Sequence, residues 1–250
     1  MVKNCIENSG SERLIMSKVK MYCLPYAGGS AVAYSDWADR YKSLVEVVPL
    51  EYNGHGTLFC EPFYKDAFEA AEDMCERICK DAPDKYIIYG HSMGSLIALL
   101  TAVKLAGRNN VQPAAVIVGG TRPPHLSYKD ERISDLPKDK FIEKLVEFGQ
   151  TDPELLEDPE FTDIIYDIMS NDTRICENFE ADWDSLKINA PILAITGSQD
   201  DEAPLEDMKE WQRYTNGLFQ IKVFDAGHFF AFECDQFPGY LQEKIAEFIK

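Results

Sequence analysis

Basic residues are scarce in this 250-residue chain: 25 Lys and Arg stand against 43 Asp and Glu, giving a formal net charge of −18 at pH 7. A surface of that sign repels phosphate groups, so the composition argues against nucleic acids and anionic membranes as partners. Long hydrophobic runs are also missing, and no stretch approaches the length that crosses a bilayer. The first residues lack the apolar segment of a secretion signal. We therefore expect a cytoplasmic protein.

Cysteine pairs of the C-x-x-C type are absent, although the chain has seven cysteines. Cys75 and Cys79 stand one helical turn apart, but no second pair of ligands accompanies them, which argues against a zinc site. A chain of this length with 45% hydrophobic residues can form a large core without disulfides. We interpret the cysteines as reduced, and we expect no metal and no cofactor.

Internal repeats and low-complexity segments are missing too. Instead, short β-branched or aromatic runs alternate with longer amphipathic segments, which predicts a mostly parallel sheet with helices on both faces. The predicted strands are 19–24, 45–50, 86–89, 114–118, 192–196 and 219–224, and the predicted helices between and after them are 31–41, 62–80, 93–105, 205–214 and 237–249. Residues 1–17 are expected to form a flexible tail, and 18–250 a single α/β domain.

Strand signals are absent from about 122 to 187. Helical patterns occupy 138–148, 161–169 and 173–183 instead. A helical block inserted after a strand predicts a lid over the carboxyl ends of the strands, because ligands bind at that edge in open α/β sheets.

The sequence G-H-S-M-G at 90–94 matches the pattern G-x-S-x-G and lies between a predicted strand and a predicted helix. In the α/β-hydrolase fold this pattern forms a tight turn that exposes a nucleophilic serine. Ser92 would then lie at a helix N-terminus, where the Met93 N–H and the helix dipole can stabilise an oxyanion. The motif therefore predicts an α/β-hydrolase fold with Ser92 as the nucleophile.

A serine nucleophile needs a base, and the chain has only four histidines. His228 follows the last predicted strand and alone fits the chain order Ser…Asp/Glu…His of this fold. We interpret His91 as a packing residue and His55 as a structural loop residue. His125 begins the insertion and could line a pocket, but it precedes every candidate acid. We therefore predict His228 as the general base.

The loop after strand 192–196 supplies three acids, at 200–202, whereas the loop after 114–118 supplies none. One carboxylate must orient the imidazole and stabilise the imidazolium. We favour Asp200 and keep Asp201 as the alternative. The second oxyanion donor is expected in the loop P-Y-A-G-G-S at 25–30, whose glycines allow close approach of the backbone, and Ser30 can also cap the following helix.

Together these segments resemble type II thioesterases, the free-standing editing enzymes of nonribosomal peptide and polyketide synthases. The resembling segments run in register from about residue 19 to the C-terminus: L-P-Y-A-G-G-S at 24–30, G-H-S-M-G-S at 90–95, L-A-I-T-G at 193–197 and V-F-D-A-G-H-F-F at 223–230. The resemblance implies a triad of Ser92, Asp200 and His228, with the amides of Ala27 and Met93 as oxyanion donors. It also implies a mobile helical lid that admits a phosphopantetheine arm, which belongs to the substrate and is not a cofactor.

Two segments depart from the family's usual patterns. The family's G-D-x-D reads G-S-Q-D at 197–200 and keeps only the second acid, which supports Asp200. The loop that usually reads P-G-R-G is Y-N-G-H-G at 52–56, closer to general α/β-hydrolases.

The leading hypothesis is a monomeric serine thioesterase that hydrolyses acyl, aminoacyl or peptidyl thioesters on carrier proteins, for editing or release in natural-product biosynthesis. A small-molecule carboxylesterase is the alternative enzyme, because a triad does not distinguish esters from thioesters. A non-catalytic protein that binds carrier protein is the alternative outside enzymes, and the complete triad argues against it.

The insertion has two further sets of candidate residues. Its apolar residues could line an acyl pocket or simply pack the lid: Phe141, Leu145, Phe148, Ile164, Ile168 and Met169. Its basic residues could dock a carrier protein, or form a mixed-charge surface with the acids between them: Lys129, Arg132, Lys138, Lys140 and Lys144.

Overall fold

A six-stranded sheet forms the centre of the protein. The computed structural model describes residues 19–109, 112–126, 132–147, 156 and 158–250, so the predicted tail 1–17 lies outside the described residues. The strands are β1 Lys20–Leu24, β2 Glu46–Pro49, β3 Tyr86–His91, β4 Ala115–Gly119, β5 Ile192–Gly197 and β6 Phe219–Phe224. They lie in the order β2-β1-β3-β4-β5-β6, and each adjacent pair is parallel. The predicted α/β architecture is confirmed.

Helices connect the parallel strands. They are α1 Ser35–Tyr41, α2 Ala67–Asp81, α3 Met93–Asn109, α4 Lys138–Glu147, α5 Pro159–Glu177, α6 Leu205–Met208, α7 Phe230–Glu233 and α8 Phe237–Phe248. None of the helices in the described ranges is long and apolar enough to cross a membrane.

The strands carry almost continuous apolar runs because both faces of the sheet are buried. Along β1, Tyr22 and Leu24 pack with α2 and α3 on one face. Met21 and Cys23 alternate with them and pack with α1 and α8 on the other face. Two helical layers therefore sandwich the sheet, and only the strand ends and their loops are available for chemistry.

The strand order reverses next to β1. The chain moves from β1 to β2 on one side and then returns to place β3 on the other side. The loops after β1 and β3 consequently leave the same edge of the sheet side by side. This is the topological switch point at which open α/β sheets bind ligands.

The insertion between β4 and β5 contains α4 and α5. Asp158 caps the start of α5 through its side chain, and Pro159 occupies the first turn, as a helix start favours. The sequence predicts two helices here, 161–169 and 173–183, but the structure has one that runs through residues 170–172 and ends at Glu177. The two predicted patterns are thus parts of a single helix, in which Asn171 and Asp172 are buried.

Other predicted helices differ at their ends. The helix expected at 31–41 begins as a 3₁₀ turn and is α from Ser35, and the helix expected at 93–105 continues to Asn109. The helix expected at 62–80 begins at Ala67, because the Asp66 side chain accepts a hydrogen bond from the Glu69 N–H and caps it there. The helix expected at 205–214 is α for only its first turn and continues as a 3₁₀ helix.

Three of the candidate lid residues pack against each other. Phe141, Leu145 and Met169 are buried in one cluster between α4 and α5. This confirms lid packing for these three residues, whereas Ile164 is exposed and Phe148 lies outside the described residues.

Candidate active site

The turn from β3 to α3 has the strained geometry of a nucleophile turn. Ser92 has φ +53°, a left-handed value that, within the described residues, only one other non-glycine residue shares. A side chain at Gly90 would collide with the Gly94 carbonyl, and one at Gly94 would collide with the carbonyl of Leu24 in β1. Both glycines of the motif are therefore required by close backbone approach. The serine is lifted to the edge of the sheet at the N-terminus of α3.

Ser95 stabilises this turn through hydrogen bonds to the ends of β3 and β4. Its buried hydroxyl lies 2.9 Å from the Gly90 carbonyl and 3.0 Å from the Gly119 carbonyl, and it accepts the Gly119 N–H at 2.9 Å. The Ser92 N–H also donates to the Gly119 carbonyl, at 2.7 Å. The end of β4 thus holds the turn in place. Sequence reasoning missed this positioning role of Ser95.

His228 and Asp200 meet at the end of the sheet. The Nδ1 atom of His228 lies 3.1 Å and 3.0 Å from the two carboxylate oxygens of Asp200. The Asp200 side chain is 1% exposed, and its Oδ1 also accepts the Glu202 N–H at 3.1 Å. Asp201, the alternative acid, is exposed. The structure therefore brings Asp200, and not Asp201, to the histidine.

The loops that carry this pair are joined. Gln199 and Ser198 both donate to the Asp225 carboxylate, and the Gln199 N–H donates to the Ala226 carbonyl at 3.0 Å. Because β5 and β6 are paired along their length, the two loops emerge together. The acid and the histidine are consequently held at a set separation.

The electrostatic surroundings of His228 favour its protonated form. Burial, the largest single effect, lowers the pKa of His228, but the hydrogen bond to Asp200 and the charges of Glu202 and Asp200 outweigh it, so that the pKa lies above its usual value. Its neighbour His91, whose ring is 5.4 Å away, is fully buried. Burial and the proximity of His228 hold the pKa of His91 well below its usual range. His91 therefore adds no positive charge beside His228.

His91 packs among aromatic rings, as the sequence predicts. Tyr26, Phe229, Phe230 and Phe232 surround it with ring centroids 5.1–6.1 Å away. Since His91 directly precedes Ser92 and its ring lies beside His228, this cluster brings the nucleophile turn to the histidine loop.

The other two histidines lie apart from His228. His125 hydrogen-bonds through Nδ1 to the Tyr214 hydroxyl at 2.9 Å. His55 is buried in the loop after β2 and pairs with Asp172 of α5 at 2.9 Å. A loop position for His55 was predicted, but its buried carboxylate partner was not.

The loop after β1 lies against the turn that carries Ser92, since a side chain at Gly94 would collide with the Leu24 and Pro25 carbonyls. The Tyr34 hydroxyl donates to the Leu24 carbonyl at 2.9 Å, and the Tyr52 hydroxyl donates to the Pro25 carbonyl at 3.2 Å. Ser30 caps the following 3₁₀ turn through its side chain, as predicted. Ala27 lies in this loop, and Met93 opens α3 directly after Ser92.

A small apolar cavity adjoins the nucleophile turn. It has a volume of about 30 Å³, and side chains from α3, α5 and the segment after α6 line it, including Met93, Cys176, Phe179 and Trp211. Space of that size accepts a few atoms at most, whereas sites for larger ligands span several hundred Å³. Described residues of the insertion therefore lie directly against the start of α3 in this structure.

A family model described as the thioesterase domain matches residues 19–250, which covers all the elements above. The chain belongs to the thioesterase family. Its catalytic class is therefore that of a serine hydrolase.

Known proteins of this family resemble it along most of its length. Thioesterase PikA5 of Streptomyces venezuelae is 29% identical over 86% of this chain and 76% of its own. The medium-chain S-acyl fatty acid synthase thioesterase of Rattus norvegicus is 27% identical over 91% of this chain and 87% of its own length. The crystal structure of ClbQ from the colibactin NRPS/PKS pathway superposes with a TM-score of 0.86 at 27% identity, covering 93% of this chain and 98% of that one. The α/β-hydrolase fold and the resemblance to type II thioesterases are confirmed.

The surroundings of His228 predict the pH dependence of this thioesterase. A general base acts in its neutral form, so kcat/KM should fall as the pH drops through the pKa of His228. Because that pKa is raised, the midpoint of the acid limb should lie above 6.5. Thioester hydrolysis measured from pH 5 to 9 checks this. The variant His125→Gln serves as control and should keep the midpoint, while a wild-type midpoint at or below 6.5 would contradict the assignment.

Proposed function

We propose that this thioesterase hydrolyses acyl or peptidyl groups from phosphopantetheine arms of carrier proteins, with Ser92, His228 and Asp200 as its triad. The observation that carries the proposal is the His228–Asp200 pair beside the Ser92 turn, in a chain whose family match is continuous from 19 to 250. The relatives support the substrate class, since ClbQ belongs to an NRPS/PKS pathway. No cofactor is required for this chemistry, because the triad supplies both nucleophile and base.

The tautomer of His228 follows from its contacts. Nδ1 faces both oxygens of Asp200, which accept hydrogen bonds, so Nδ1 carries the proton and Nε2 keeps its lone pair. Nε2 therefore takes the Ser92 proton while Oγ attacks the thioester carbonyl. The charge on the new imidazolium is stabilised by the buried carboxylate of Asp200.

The oxyanion and the leaving group complete the first half-reaction. The carbonyl oxygen becomes negative and accepts hydrogen bonds from the Ala27 and Met93 amides, the latter at the positive end of the α3 dipole. The C–S bond then breaks, and the departing sulfur takes the proton from His228 and leaves as the thiol. An acyl group remains on Ser92.

Water completes the cycle. His228, neutral again, accepts a proton from water as the water oxygen attacks the acyl ester. The C–O bond to Ser92 breaks, the serine regains its proton, and the carboxylic acid leaves. One water is consumed for each thioester cleaved.

Docking of a carrier protein through a basic patch receives little support from the surface of the insertion. Lys140 pairs with Glu143 at 2.7 Å, Lys144 pairs with Glu147 at 2.6 Å, and Lys138 pairs with Asp163. Arg132 donates to Asn178, and Lys129 lies outside the described residues. The mixed-charge interpretation therefore fits better, and we propose that apolar contacts provide most of the docking energy.

The substrate class predicts a difference between two thioesters of one acyl group. The kcat/KM for the carrier-protein thioester should exceed that for a truncated pantetheine thioester, since binding energy from remote contacts is used in the transition state. Carrier proteins are generally acidic and this chain has a net charge of −18. Added salt should therefore raise kcat/KM for the carrier protein and leave the pantetheine value almost unchanged.

The oxygen ester of the same acyl group is the control that distinguishes a thioesterase from a small-molecule carboxylesterase. Equal kcat/KM values for carrier protein and pantetheine, together with faster hydrolysis of the oxygen ester, would contradict the proposal and favour a small-molecule carboxylesterase. Binding of loaded carrier protein without turnover would favour the non-catalytic alternative. Sedimentation of the enzyme alone tests the proposed monomer.

A further inference from the structure

A buried carboxylate in the middle of α5 joins the insertion to the loop that carries Ala27. Asp172 is 1% exposed, and its Oδ2 accepts the Gly28 N–H at 2.8 Å. The same oxygen lies 2.9 Å from Nε2 of His55. One atom therefore connects α5, the loop after β1 and the loop after β2. The triad described above uses neither Asp172 nor His55.

The contacts of His55 require its charged form. Nε2 faces the Asp172 carboxylate, and Nδ1 faces the Asn53 carbonyl oxygen at 3.1 Å. Both partners only accept hydrogen bonds, whereas a neutral imidazole has a single N–H. Burial on its own lowers the pKa of His55, but Asp172, the Asn53 carbonyl and Glu51 raise it above its usual value overall. His55 and Asp172 thus form a buried ion pair, and loss of either member leaves the other uncompensated.

The loop after β1 is held at its ends by the body of the protein. Tyr52 holds the Pro25 carbonyl, and the Glu51 carboxylate accepts the Ala31 N–H at 3.0 Å. The centre of the loop is different, because the acceptor for Gly28 comes from α5. Gly28 has φ +75°, and a side chain there would collide with the sulfur of Met169, one helical turn before Asp172. Helix α5 therefore rests directly on the peptide that follows Ala27.

We propose that Asp172, as an ion pair with His55, is a positioning residue that holds the Ala27 amide in the orientation the oxyanion needs. The inference rests on the proposed function, in which Ala27 is an oxyanion donor. The Asp172 bond fixes the peptide plane between Ala27 and Gly28. The Ala27 N–H lies in the preceding plane, whose Tyr26 carbonyl accepts the Gly29 N–H at 2.9 Å. Holding Gly28 therefore restricts the torsions on both sides of Gly28 and keeps this turn, with the Ala27 amide, in place. A competent oxyanion site is then assembled only when α5 is seated on the loop.

Two substitutions of Asp172 should lower turnover to different extents. Asp172→Ala removes the acceptor of the Gly28 N–H and the partner of His55. Asp172→Asn keeps an oxygen that can accept the Gly28 N–H, but it removes the negative charge. His55 then either stays charged without a counter-ion, or becomes neutral and loses its hydrogen bond to Asn53 or to residue 172. Asp167→Asn is the matched control, since Asp167 lies on the same helix and is exposed.

Turnover of an acyl-pantetheine thioester is measured well below the melting temperature of each variant. Removing a whole oxyanion donor costs about 10²–10³ in kcat, so a misplaced donor should cost about 10- to 100-fold in Asp172→Ala, less in Asp172→Asn, and under about twofold in Asp167→Asn. KM should change by less than about threefold, because the oxyanion interaction is made in the transition state. Unchanged kcat with a lowered melting temperature in both Asp172 variants would overturn the proposal, as would an effect confined to KM.

Nuclear magnetic resonance of the His55 ring tests the ion pair without turnover. In the wild-type protein both ring nitrogens should carry protons at neutral pH, with a titration midpoint above 6.5 that falls in Asp172→Asn. The variant His55→Gln assigns the signals. A wild-type midpoint at or below 6.5 would overturn the ion pair. If the ring behaves as expected but the wild type cleaves no thioester, the proposed function fails while the pair stands.

Discussion

Replacing Ser92 with alanine should lower kcat by about four to six orders of magnitude and leave a small residual rate from substrate binding and the oxyanion amides. No other hydroxyl lies in a strained strand-to-helix turn within the described residues, and in the proposed mechanism the substitution removes the oxygen that His228 activates. Alanine also carries a Cβ, so the backbone strain at φ +53° is the same in both proteins. Loss of activity would therefore report chemistry rather than a change in the turn.

Covalent labelling locates the same atom independently. A fluorophosphonate should add once to the wild-type protein, on the peptide that contains Ser92, and not at all to Ser92→Ala. Ser185→Ala is a matched control, because Ser185 is exposed and bonds only to the Asp182 carbonyl. It should retain both labelling and turnover. An adduct on a different residue, or a fully active Ser92→Ala, would show that the nucleophile lies elsewhere.

Asp200→Asn should lower kcat by about 10⁴-fold, the size of the effect when an amide replaces the acid of a serine-protease triad. An asparagine here can donate its amide hydrogens to Nδ1, which favours the tautomer with the proton on Nε2. That tautomer cannot accept the Ser92 proton. The side chain is buried against His228, so water cannot replace the lost carboxylate.

The neighbouring acid supplies the comparison. Asp201→Asn should change kcat by less than about threefold, since an exposed charge one residue away is screened by solvent. Steady-state rates on one acyl-pantetheine thioester, with circular dichroism to verify folding, compare the two variants. A larger loss in Asp201→Asn than in Asp200→Asn would move the triad acid by one residue.

The choice between Asp200 and Asp201 as the triad acid could not be made from residue spacing alone. The loop after β5 has three consecutive carboxylates at 200–202, and spacing alone left Asp201 open as an alternative. Adjacent residues in a tight loop point in different directions, and only the folded loop determines which one faces the histidine. Pairing of β5 with β6, and the bonds of Ser198 and Gln199 to Asp225, turn Asp200 inward.

The helix α5 shows a second limit. The predicted helical patterns at 161–169 and 173–183 left S-N-D at 170–172 between them, and residues of these types are common at turns and helix ends. In the structure Asp172 lies on the buried face with Ile165, Met169 and Cys176, at helical spacing. A polar residue at that spacing was the available signal, and it indicates a buried partner rather than a break.

The α/β fold, the family and the position of Ser92 could be read from the sequence, because those features depend on local sterics and short-range patterns. Apolar strands, amphipathic helices and the two glycines around Ser92 act within a few residues of each other. The partners of the buried polar groups, in contrast, became known from the folded chain. Asp172 meets His55 across 117 positions and Gly28 across 144 positions. A buried carboxylate must find its hydrogen-bond donors wherever the fold brings them, and no local pattern encodes that distance.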